Sequence, residues 1–103
     1  MFYTQLSQEY QDDTLAEALY AREVEHFHYE FDRANFETML LQLEEGDPYR
    51  IELTTRLAAT EAALRVVEVV YAALTARIGD PVAHAAALER AKVKRQQVAA
   101  LDA

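Results

Sequence analysis

Residues 22–30 read Arg-Glu-Val-Glu-His-Phe-His-Tyr-Glu. They hold two carboxylate–imidazole pairs at i, i+3: Glu23 with His26, and Glu25 with His28. On a helix, residues three apart sit on neighbouring turns of one face. Ferritin-like four-helix bundles hold two iron or manganese ions with such E-x-x-H pairs, completed by glutamates from the facing helices. Glu61 and Glu68 are available for that second role if two copies of the chain associate antiparallel. One segment alone carries the pair, however, and a helical chain in which 27% of residues are charged produces it often. The stronger expectation is ion pairing. Glu23 and Glu30 fall beside an apolar stripe, where a lone carboxylate is costly. Arg56 and Arg65 are the arginines expected to meet them from a neighbouring antiparallel helix, because a guanidinium fork matches a carboxylate. The sequence therefore predicts no metal and no cofactor, with the metal site of Glu23, His26, Glu30 and Glu61 as the alternative.

The rest of the composition argues against catalysis. There is no cysteine, so there is no thiolate nucleophile, disulfide or thiolate metal site. Two glycines cannot write a phosphate-binding loop. Ser7 is the one serine, with no His/Asp neighbour, and His84 reads as a surface residue early in the last helix. No enzyme is expected. Net charge is −8, and residues 1–47 carry twelve acidic residues against two arginines. Phosphate backbones repel such a chain, so no nucleic-acid binding is expected. A basic protein partner suits it, and a nucleic-acid mimic is a second alternative. No apolar run approaches membrane-spanning length. The opening MFYTQLSQEY shows no cationic and apolar leader, so the expected address is cytoplasmic.

A chain of 103 residues makes one domain. Gly-Asp-Pro occurs at 46–48 and again at 79–81, and these copies hold every glycine and proline. Gly suits a left-handed helix stop, Asp an N-cap and Pro the first helical position. Thr14-Leu-Ala-Glu17 reads as a capping box. Together they predict an all-α fold with helices at about 15–45, 48–78 and 81–101. That is a long antiparallel hairpin plus a shorter third helix. Residues 1–13 form an arm, either a separate turn or a backward extension of the first helix, with Phe2, Leu6 and Tyr10 as apolar anchors. The segments after the two Gly-Asp-Pro copies do not resemble one another, so the spacing is shared punctuation and not a repeat.

Helical projection then sorts the faces. On the first helix the main stripe is Tyr20, Val24, Phe27, Phe31, Ala34, Thr38 and Leu41, with Phe36, Leu40 and Leu43 on a second side. On the second helix the main stripe is Leu53, Leu57, Thr60, Leu64, Val67, Tyr71, Leu74 and Ile78. Its other side, including Ala62, Val66, Val69 and Ala73, is also apolar, which a short chain cannot cover. The expected self-association surface is therefore Phe36, Leu40, Leu43, Ala62, Val66, Val69 and Ala73, closing a bundle in a dimer or larger assembly. In the third helix Lys92, Lys94 and Arg95 form a basic face expected to be mostly solvated. The function these features suggest is a non-enzymatic acidic helical protein that works by binding protein.

Overall fold

The computed structural model describes residues 2–102, and for residues 2–6 the backbone alone. Three helices make the fold: α1 (Phe2–Gln42), α2 (Tyr49–Thr75) and α3 (Pro81–Asp102). The all-α hairpin with a shorter third helix is thus observed. Helix α1 is 41 residues long, about 61 Å at 1.5 Å per residue. It contains neither glycine nor proline. The stretch read as an arm is continuous with it. Thr14 is not an N-cap: its Oγ1 donates to the Tyr10 carbonyl one turn back, 2.8 Å away. Extending an existing helix needs no new nucleus, so propagation through Thr14 wins over a fresh start there. The packing expected of Phe2 and Leu6 lies outside the described residues, and Tyr10 is exposed.

The two aspartates of the Gly-Asp-Pro copies do cap. Asp47 Oδ1 accepts from the Tyr49 amide at 2.9 Å, and Asp80 Oδ1 accepts from the Val82 amide at 2.9 Å. The glycines do not stop helices in the expected way. No described residue has a positive φ. Helices α1 and α2 end three residues earlier than the sequence predicts. After α2 the chain closes with tight i→i+3 bonds, Arg77 to Leu74 and Ile78 to Thr75, at 3.0 and 3.1 Å. These satisfy end carbonyls without a left-handed residue. At the end of α1, Arg50 Nη1 does the same work, donating to the Leu40 and Leu43 carbonyls at 2.7 and 3.1 Å.

Helices α2 and α3 each pack on α1 and, among the described residues, not on one another. Tyr71 meets Glu23 and Glu68 meets His26, so α2 runs antiparallel to α1. Arg90 meets Asp13 and Lys94 meets Glu17, both 77 residues apart, so α3 runs parallel to α1. Helix α2 covers the C-terminal half of α1 and α3 covers the N-terminal half. The molecule is long and thin, 68 × 34 × 17 Å. Its radius of gyration is 18.9 Å, where a compact chain of this length has about 13 Å.

The core is small. Leu53 is fully buried, and Thr60, Leu64 and Val67 follow it along α2, on the stripe predicted to pack. Ala16 and Leu19 on α1 and Ala87 and Ala91 on α3 complete it. On α1 the two faces are exchanged relative to the sequence reading. Phe36, Leu40 and Leu43 are half-buried, whereas Phe27, Phe31 and Leu41 of the expected main stripe are exposed. Both sets have helical spacing, so periodicity alone could not say which one α2 would cover.

Candidate functional site

The seam between α1 and α2 holds a half-open cleft of about 290 Å³, lined by Arg22, Glu23, His26, Val67, Glu68 and Tyr71. Tyr71 Oη donates to Glu23 Oε1 at 3.0 Å. That bond raises the phenol above its ordinary pKa, with smaller contributions from burial and from the carboxylate's charge. His26 Nε2 lies 3.3 Å from Glu68 Oε1 and 3.8 Å from Glu30 Oε1. Two polar pairs thus join the helices across the cleft, which favours one register of the hairpin over its neighbours, while Arg22 bonds Glu25 of its own helix and its buried Nε has no partner.

The arginine pairs expected here do not form. Glu23 takes a tyrosine. Glu30 faces Arg33 of its own helix at 3.6 Å, and Arg56 pairs with Glu52 of its own helix at 3.0 Å. A neighbour one turn away needs no tertiary alignment and so captures the side chain first. The E-x-x-H pair does meet a helix-2 glutamate through His26 and Glu68. Even so, the described residues contain no group of three or more His, Asp or Glu side chains arranged to hold a metal ion. Sequence reasoning missed the Tyr71–Glu23 bond, although a signal was present. Glu23 and His26 are three apart, as are Glu68 and Tyr71, so an antiparallel pairing that joins one couple joins the other.

A second polar contact set ties α3 to α1. Arg90 Nη2 and Nε donate to Asp13 Oδ1 at 2.7 and 3.0 Å, and Lys94 Nζ donates to Glu17 Oε1 at 2.9 Å. The Arg95 guanidinium stacks 5.3 Å above the Tyr20 ring. The basic face of α3 stays largely open to solvent, as expected, with Lys94 67% exposed; Lys94 and Arg95 also reach α1, while Lys92 pairs within its own helix, with Glu89. The parallel register sets successive cations of α3 against the acidic turns of α1. His84 is half-buried, and its Nδ1 has no hydrogen-bond partner.

Two apolar rows remain uncovered, one on α2 and one on α1. The α2 row runs Ile51, Thr55, Ala58, Ala62, Val66, Val69, Ala73 and Ala76, with helical spacing and no charge along its length. Val66 and Val69 are 62% and 69% exposed. The α1 row contains Phe27 and Phe31, 67% and 59% exposed, and Leu41, 88% exposed. Of the surface expected to self-associate, Ala62, Val66, Val69 and Ala73 are open, while Phe36, Leu40 and Leu43 are partly used within the chain. Comparison with protein-family models, curated proteins and solved structures finds no match for this chain.

Proposed function

We propose that this protein is a non-enzymatic helical adaptor that self-associates through the outer face of α2 and binds other protein through its acidic side. The observation that carries the reading is the charge-free apolar row of α2, exposed along the whole helix. Water-facing positions of a monomeric helix normally carry charge. A run of this kind without any is the composition of an interface core. Its alanines allow two helices to approach closely.

The chain exposes 7761 Å², about a third more than the roughly 5,900 Å² of a compact monomer of its mass. A stable dimer needs about 800 Å² from each partner. A two-fold, antiparallel pairing of α2 with α2 of a second copy covers the row on both chains at once. The seam cleft carries no reaction in this proposal; its Tyr71–Glu23 and His26–Glu68 pairs set the hairpin register.

Sedimentation velocity or light scattering tests the assembly. A dimer or larger species is expected at tens of micromolar protein. Val66→Glu combined with Val69→Glu should convert it to monomer while keeping most of the helical circular dichroism. Wild-type protein that is monomeric under those conditions overturns the reading, as does a double variant that stays associated.

A further inference from the structure

Polar contacts to α3 come from Glu9, Asp13, Glu17 and Tyr20 of α1. Stepping onward by alternating fours and threes gives Val24, Phe27, Phe31, Ala34, Thr38 and Leu41. This is one continuous row on one face of a helix. Helix α3 covers its first half. The offset of 77 shared by the two hydrogen-bonded pairs sets Asp102, where α3 ends, at the level of Glu25. From Phe27 to Leu41 the same row is bare, over about 21 Å or four turns.

Both halves set acids beside a helix-packing surface, in the row itself where α3 lies and along its border in the bare half. Where α3 lies, two acids of α1 receive Arg90 and Lys94 while small side chains of α3, Ala87 and Ala91, are buried. Along the bare half, Glu23, Glu30 and Glu37 recur every seven residues and therefore form a line along one border of the row. Glu61 and Glu68 of α2 carry the same helical spacing, and Glu68 joins this acidic side through His26. A second copy is a poor occupant here. Antiparallel self-pairing of the row would place two such glutamate lines side by side, and like charges in that position repel. The α2 row, which carries no charge, has no such obstacle.

We infer that the open row of α1, from Phe27 to Leu41, is the docking surface for an amphipathic helix of another protein, apolar on one face and flanked by arginine or lysine. This rests on the adaptor reading and names the partner's chemistry. The incoming helix continues the line of α3. It places apolar side chains on Phe27, Phe31 and Leu41, and cations against Glu30 and Glu37.

The test uses the whole protein and a labelled synthetic helical peptide of about four turns. One face of the peptide carries leucine and alanine, and an arginine line runs along the border. Saturable binding by fluorescence anisotropy is expected, weaker at high salt. Phe27→Glu with Phe31→Glu should weaken it by at least about tenfold, which is about 1.4 kcal/mol. Glu30→Gln with Glu37→Gln, which removes charge and leaves the apolar row intact, should weaken it as well. A peptide with glutamates in place of the arginines should not bind. Absence of binding overturns the inference. So does binding that both double variants leave unchanged, or equal binding of the glutamate peptide. A fall in solution mass on Phe27→Glu with Phe31→Glu would overturn it too, by making the row a contact between copies. Self-association is read separately from the mass: a monomer that binds the arginine peptide refutes the α2 assembly and supports the α1 row.

Discussion

Tyr71 Oη and Glu23 Oε1 lie 3.0 Å apart across the α1–α2 seam, with the phenol as donor. The bond exists only while the phenol keeps its proton. Because folding raises the tyrosine pKa above 10.0, the contribution to stability is intact below that value. It is lost as pH climbs through the raised pKa. The phenolate absorbance of Tyr71 should therefore appear at higher pH in folded protein than in urea. Glu23→Ala should bring the two curves together. Tyr71→Phe should cost about 0.5–1.5 kcal/mol in urea unfolding, toward the lower end because the pair is partly exposed.

Arg50 closes the end of α1 by donating to the Leu40 and Leu43 carbonyls. These carbonyls have no partner in the next turn of their helix. Arg50→Ala should destabilise the hairpin by about 1–3 kcal/mol, since a charged donor to carbonyls is lost. Hydrogen exchange should show the change first as faster opening around residues 40–43.

Helix α3 has a small buried contact, Ala87 and Ala91, and otherwise meets α1 through exposed cations. The proton affinities of Lys94 and Arg90 are raised, chiefly by hydrogen bonds to Glu17 and Asp13. The Lys94 contribution is therefore intact below 10.5 and fades as pH rises through the raised value. Salt should act on α3 before α2, because the screening length falls from about 10 Å at 0.1 M to about 3 Å at 1 M. Amide exchange in residues 85–95 should accelerate in 1 M salt while exchange in residues 57–67 changes little. Equal acceleration in both helices would contradict this account.

Leu53 is fully buried. Leu53→Ala should cost about 2–5 kcal/mol through lost burial and the cavity it leaves. In so small a core that should be visible as a large fall in the urea midpoint. Leu41→Ala, twelve residues earlier in sequence but 88% exposed, should leave the midpoint of unfolding nearly unchanged.

The sequence by itself determined that there are three helices and where the chain turns between them. Asp47 and Asp80 cap because a carboxylate one residue before a helix reaches the next free amides, which is a local matter. The α2 stripe from Leu53 to Val67 was equally legible, because its apolar residues repeat at helical spacing. Tertiary structure decided what locality cannot. Thr14 fits a cap or a helix interior equally well, and the uninterrupted helix upstream settled it. Helix α1 has two apolar rows with the same period. Which one α2 covers depends on how Arg50 and the short link fold the chain back, and on the register joining Glu23 with Tyr71. The destination of the glutamates was likewise hidden: an intrahelical neighbour competes with every cross-helix arginine, and geometry alone ranks them. Finally, α3 reaches only to the level of Glu25, so half of the α1 row stays open. That follows from the parallel register of α3, which places Arg90 and Lys94 on Asp13 and Glu17 and leaves Phe27, Phe31 and Leu41 to water.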